Sequence, residues 1–129
     1  MSTTHSTAAR NAATDAVTAL LGAGAKMCFR LAGNIGAPGA IAATLAMSAT
    51  AFGASANGTA TANAITSDTN AAGNASAVAT VTLQTSGDVI VIHAAVAASA
   101  SDVNMSNGLV VAAGDTVSCS SLTYTALGA

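Results

Sequence analysis

Charge is what this sequence has least of. Its 129 residues carry three basic and five acidic side chains, every acid an aspartate, for a formal net charge of −2. Three cations cannot neutralise a phosphate backbone, so nucleic-acid binding is not expected. A charged fraction of 6% also argues against disorder driven by charge. Aromatic residues are nearly missing, with two Phe, one Tyr and no Trp, and there is a single proline. Of two cysteines, Cys28 and Cys119, neither belongs to a CxxC pair. Zinc spacing is therefore absent, and free half-buried thiols are the expectation in a reducing compartment, with a disulfide between the two the lesser alternative.

Small side chains fill the space these absences leave. Ala (35), Thr (17), Ser (13) and Gly (12) occupy 77 of the 129 positions, and the larger apolar residues number 30. Fully burying one large aliphatic side chain gives about 1.5–3 kcal/mol, whereas ordering one residue costs about 1–2 kcal/mol. The length fits a single domain. Its core must be thin, and neighbouring subunits are expected to contribute burial.

Residues 31–67 hold no charge, which invites a membrane reading. That stretch is mostly Ala, Gly, Ser, Thr and Asn, broken at Asn34, Gly36, Pro38 and Gly39. A spanning helix needs about 20 strongly apolar residues, so no membrane partner is expected. The opening residues lack a basic stretch followed by an apolar one, so a secretory leader is not expected and the chain should stay in the cytoplasm where it is made.

Ser6 or Thr7 can cap a helix running to about Leu21 and ended by Gly22 and Gly24. Its weak apolar stripe is Ala9, Ala13, Ala16, Val17, Leu20 and Leu21, with Arg10, Asn11, Thr14, Asp15 and Thr18 opposite. From residue 26 the period changes to two: Lys26, Cys28 and Arg30 alternate with Met27, Phe29 and Leu31. A second strand carries Ile41, Ala43, Leu45 and Met47. Asn57-Gly58 is the strongest hairpin signal, because both residues accept the positive φ of a type I′ turn. The return strand is expected over 59–66, and further strands over 75–84, 89–93, 109–113 and 116–125, with a short edge piece at 102–105. The run 89–93 is apolar on both faces and reads as central. In the last strand Val117 and Cys119 share one parity and Leu122 and Tyr124 the other; a bulge at Ser120-Ser121 would turn all four inward.

The expected fold is mainly β: an antiparallel, jelly-roll-like β-sandwich of seven to eight short strands behind one N-terminal helix. Residues 1–24 form the arm and amphipathic helix, and residues 25–129 the sandwich.

Catalysis finds little support. His93 sits in an apolar run with no acid near it in sequence, so a satisfied or interface imidazole is the simpler account. No GxSxG elbow or Ser/His/Asp order stands out among the serines. Asp68, Asp88, Asp102 and Asp115 occupy turn positions, where aspartate bonds its own backbone. Only the loop Ser67-Asp68-Thr69-Asn70 gathers oxygens for calcium, and it offers too few. No enzyme activity, metal or cofactor is expected. The Thr/Ala alternation at Thr59-Ala60-Thr61-Ala62 has the look of an ice-binding surface but covers one strand only.

Several blocks together resemble a known group. They are STAARNAATDAVT from Ser6, LAMSATAFGA from Leu45, TANAITSD from Thr61, SDVNMS from Ser101 and AGDTVSCSSLTYT from Ala113. The chain resembles a family of small tailed-phage virion proteins of the head-decoration or capsid cement kind. The resemblance implies a β-sandwich subunit on the outer surface of the capsid, bridging major capsid proteins, assembled in the host cytoplasm, without catalysis or cofactor. Residues 26–39 depart from it, since relatives carry more charged and aromatic residues there. Self-association as a dimer or trimer on the lattice is expected, with His5, Arg10, Asn11, Asp15, Lys26 and Arg30 as candidate contact residues. The arm and helix, residues 2–21, are the expected reaching element. A tail- or fibre-associated adaptor is the alternative, and an ice- or glycan-binding module a more remote one; a single Tyr makes the glycan version weak.

Overall fold

The structure, a computed structural model, describes residues 3–105 and 107–127. Helix α1 (Thr7–Ala19) begins where the sequence predicts. The Ser6 side chain accepts a hydrogen bond from the Ala9 N–H at 3.2 Å, satisfying a helix-end donor worth about 1 kcal/mol. At the other end the Leu20 and Leu21 N–H groups bond the carbonyls of Val17 and Thr18. Gly22 (φ +66°) then turns the chain away, a backbone conformation that glycine adopts without strain.

The face that α1 buries is rotated from the expected one towards its polar side. Thr14 and Thr18 are buried and Arg10, Asn11, Ala13 and Val17 half-buried, while Ala9, Asp15, Ala16 and Leu20 are exposed. Of the predicted apolar stripe, only Leu21 is fully buried. Alanine gains little from burial, and the polar side finds hydrogen-bond partners that the alanine side cannot use.

The rest is mainly β, with seven strands in two sheets. The larger sheet contains β1 (Lys26–Arg30), β2 (Ile41–Ala46), β4 (Thr80–Gln84), β5 (Ile90–Ala97) and β6 (Val103–Asn104) in the order β2-β1-β4-β5-β6. The smaller pairs β3 (Thr59–Thr61) with β7 (Thr123–Thr125). All pairings are antiparallel except the two-residue contact of β5 with β6.

Alternation along β1 sets the layers. Met27 and Phe29 point into the core beside Leu45 and Ala43 of β2 and Leu83 and Val81 of β4. Lys26, Cys28 and Arg30 take the opposite face, next to Thr44, Gln84, Thr82 and Thr80. Ala42, Ala43, Ala60 and Ala71 are buried among the large side chains, and small residues there let backbones approach. Gly73 shows the limit, because a Cβ at that position would collide with the backbone of Ala113.

Several predicted strands are shorter than the alternation implied. The 59–66 strand shrinks to β3, 75–84 to β4 and 116–125 to β7, while 109–113 is irregular. Irregular backbone still finds partners: the Val78 N–H donates to the Leu109 carbonyl and the Asn74 N–H to that of Val111, both at 2.8 Å. The phase break at Ser120-Ser121 is real, but it interrupts the strand rather than bulging it. Val117 is buried, Cys119, Leu122 and Tyr124 pack against the core, and both serines are exposed. β4 is the strand buried throughout, whereas β5, expected to be central, is half-buried over most of its length. Its outer neighbour β6 is only two residues long and covers one end.

Candidate assembly surface

Three places gather polar chemistry, and two of them serve the fold itself. The first joins α1 to the turn at 55–58. Asn57 (φ 52°) and Gly58 (φ 82°) form the predicted tight turn. Its exposed backbone is read by the helix: Asn11 Oδ1 accepts from the Gly58 N–H at 2.7 Å, Thr14 Oγ1 donates to the Gly58 carbonyl at 2.5 Å, and Arg10 Nη1 donates to the Asn57 carbonyl at 3.0 Å. Asp15 Oδ1 accepts from the Ser55 N–H at 2.9 Å. Arg10, Asn11 and Asp15 are thus engaged within their own chain. Of the six predicted contact residues His5 and Asp15 are exposed, and His5 precedes the helix cap.

A second cluster lies on the outer face of the large sheet. Arg30 spreads across β4, donating from Nε to Thr82 Oγ1 at 3.0 Å, from Nη2 to Gln84 Oε1 at 3.0 Å and from Nη1 to the Gly39 carbonyl at 2.9 Å. Gln84 passes the chain on, donating from Nε2 to Asp88 Oδ1 at 2.9 Å, and Lys26 Nζ donates to the same oxygen at 2.8 Å. The hydrogen bond and charge of Lys26, helped by Gln84, hold the Asp88 carboxyl below the usual aspartate range. The same partner raises the Lys26 ammonium above its ordinary value. Thr82 and Gln84 are buried under this network, so their hydrogen bonds must be internal. Lys26 and Arg30 were predicted as contact residues; their partners Thr82, Gln84 and Asp88, more than fifty residues away in sequence, were not. Cys28 is buried between them, and burial pushes its thiol up.

The third place is an open strand edge. The Val96 N–H bonds the Ala79 carbonyl at 2.9 Å, and pairing alternates from there along β4 and β5. Backbone groups of His93 and Ala95 are therefore directed away from β4. Ala95 donates to Asp102 Oδ2 at 3.1 Å, and β6 closes the edge at Val96 and Ala97. Among the described residues no strand pairs with the edge between Ile90 and His93. No charge falls between residues 89 and 101, and Val89 at its start is 64% exposed. His93 Nε2 is buried without a hydrogen-bond partner. Edges are commonly protected by lysine, proline or a covering loop; the side chains of this one, Ile90, Val91, Ile92 and His93, are half-buried and carry no formal charge.

A cavity of about 640 Å³ opens beside β6, floored by Phe29, Val111 and Val117. Its two carboxylates are occupied with backbone: Asp102 accepts from Ala95, and Asp115 Oδ2 accepts from the Ala112 N–H at 2.9 Å. Among the described residues no three of His, Cys, Asp or Glu come close enough to hold a metal ion. No described helix is long and apolar enough to cross a membrane. No protein-family model, curated protein or solved structure matches this chain.

Proposed function

We propose that this chain is a structural virion subunit, a decoration or cement protein that binds the outside of a tailed-phage head and bridges major capsid proteins. The observation that supports this reading best is the open, uncharged edge of β5 over Ile90–His93. An edge of this kind takes an added strand through main-chain hydrogen bonds, with side chains on alternate faces supplying selectivity. Such contacts do not depend on ion pairs, so they resist salt. Repetition over a lattice adds avidity, and each contact can be weak.

The composition supports the same reading. A chain with only 30 large apolar residues in 129 gains from burial supplied by neighbours. α1 is bound to the 55–58 turn of its own subunit, so strand addition at β5, rather than a reaching helix, is the proposed means of attachment.

The test is His93→Pro, which removes an outward N–H without touching the β4 ladder. The variant is expected to keep its thermal midpoint and lose binding to purified shells in a sedimentation assay. Full binding by a folded His93→Pro protein would overturn the edge mechanism. Gold labelling of intact particles then separates head from tail: label over the head supports cement, and label confined to the tail would replace it with the adaptor reading.

A further inference from the structure

Two positions in the chain place asparagine directly before glycine, Asn57-Gly58 and Asn107-Gly108. That dipeptide carries a latent reaction with water. The backbone nitrogen of the glycine gives its proton to base and bonds to the side-chain amide carbon of the asparagine. The carbon–nitrogen bond of the side-chain amide breaks, and ammonia leaves with a proton regained from water. A second water then opens the cyclic imide at either carbonyl, leaving aspartate or its backbone-shifted isomer, isoaspartate. The balance needs no oxidant or cofactor: one amide and one water become one carboxylic acid and one ammonia. Glycine favours the step because no Cβ screens its nitrogen and its backbone turns freely.

The fold treats the two copies of this dipeptide differently. Gly58 is buried beneath α1. Its N–H donates to Asn11 Oδ1 at 2.7 Å, and its carbonyl accepts from Thr14 Oγ1 at 2.5 Å. Arg10 Nη1 holds the Asn57 carbonyl at 3.0 Å. A Cβ at Gly58 would stand only 3.0 Å from that of Arg10, so the helix lies on the glycine whose nitrogen has to attack. That nitrogen must give up the proton it shares with Asn11 and move towards the Asn57 side chain, and both steps break contacts to the helix. Asn107 and Gly108 have the opposite surroundings. Both are exposed, Gly108 has φ +105°, and a Cβ there would meet nothing within 4 Å. They rim the cavity beside β6.

We infer that Asn107 is a site of spontaneous deamidation in the folded protein, and that α1 guards Asn57 against the same reaction. Conversion of Asn107 takes the formal net charge from −2 to −3. It adds a carboxylate to a cavity lining that already holds those of Asp102 and Asp115, and none of the described lining residues is lysine, arginine or histidine. Isoaspartate also lengthens the main chain by one carbon close to Leu109, whose carbonyl takes the Val78 N–H. At Asn57 the same change would disturb the turn to which the helix is bonded. Neither statement depends on the proposed function.

Peptide mapping by mass spectrometry tests this on the full chain. The folded protein is held at mildly alkaline pH, which promotes loss of the glycine proton, and sampled over time beside a portion unfolded in guanidinium chloride. In the folded chain Asn107 is expected to convert at least about tenfold faster than Asn57, because the guarded turn reacts only while the helix contact is open. In the unfolded chain the two dipeptides should convert at similar rates. Equal rates in the folded chain would overturn the inference. So would an unchanged ratio in denaturant, since sequence neighbours would then account for the difference. Asn11→Ala removes the acceptor of the Gly58 N–H and is expected to speed Asn57 several-fold while leaving Asn107 unchanged. Asn11→Asp keeps an acceptor oxygen and should keep Asn57 slow. Conversion of Asn57 in folded Asn11→Ala at the wild-type rate would overturn the guard.

Discussion

Replacing Thr14 with valine puts the polar docking of α1 to a direct test. Thr14 is fully buried. Its hydroxyl donates to the Gly58 carbonyl at 2.5 Å and accepts from the Ala126 N–H at 3.1 Å, tying the helix to the 57–58 turn and to the C-terminal segment at once. Valine keeps the shape and the β-branching, so packing and helix propensity change little. What changes is that two backbone groups lose their partner. Each orphaned group costs about 1–3 kcal/mol, and a small gain from the added methyl offsets part of it, leaving a loss of about 2–4 kcal/mol. For a chain of this length that corresponds to a fall in thermal midpoint of about 6–15 °C. Urea unfolding followed by far-UV circular dichroism, extrapolated linearly to water, measures it. Leu20→Ala on the same helix serves as the contrast: Leu20 is 65% exposed, so its loss should stay within about 0.5 kcal/mol. A Thr14→Val protein as stable as wild type, or a Leu20→Ala protein that loses more than it, would refute the account of how this helix is held.

Two further outcomes follow from the outer face of the large sheet. Asp88→Asn removes the negative charge that Lys26 and Gln84 share while keeping an amide oxygen and a residue type that tolerates the positive φ there. Because the folded-state value of Asp88 lies below the ordinary one, its contribution is present at neutral pH and fades as pH falls through that depressed value. The stability gap between wild type and Asp88→Asn should therefore persist to below about pH 4, the ordinary aspartate range, and then close; a gap that closes near neutrality would contradict the pairing. Burial raises both thiols above their ordinary value, yet only Cys28 is wholly buried. A thiol reagent followed by mass spectrometry should modify Cys119 in the folded protein and Cys28 only on unfolding, and the reverse order would show that the Cys28 side of the sheet opens.

Local chemistry was the legible part of this fold. Ser6 as cap, Gly22 as stop, the Asn57-Gly58 turn and the alternation of residues 26–31 each depend on neighbours close in sequence, and each is found in place. Strand length was overread because alternation of Ala with Thr or Ser carries little information: alanine gains too little from burial to pin a register. Thus 75–84 keeps only Thr80–Gln84 as strand, where Val81 and Leu83 supply anchors. The buried face of the helix is displaced from its apolar stripe for the same reason. Its best partners are backbone groups of the 55–58 turn, which a hydropathy pattern does not show. The Arg30–Gln84–Asp88 network joins residues far apart in sequence, and periodicity cannot forecast side-chain partners across strands. The open β5 edge was hidden by its apolar sequence, which reads as central although its outer neighbour covers only one end.

The few charges of the sequence are used inside the fold. Arg10, Lys26 and Arg30, the three Lys and Arg side chains, all hydrogen-bond within their own chain. On the proposed reading, association then rests on the backbone edge and exposed aliphatic side chains rather than on ion pairs. The most direct measurement of the central claim is binding of the purified chain to purified, undecorated phage shells, followed by sedimentation and by imaging of the particles across salt from about 0.05 to 1 M. The account predicts many copies on the outside of the head, with binding that changes little over that range. Absence of binding to shells, or binding that collapses as salt rises, would contradict it.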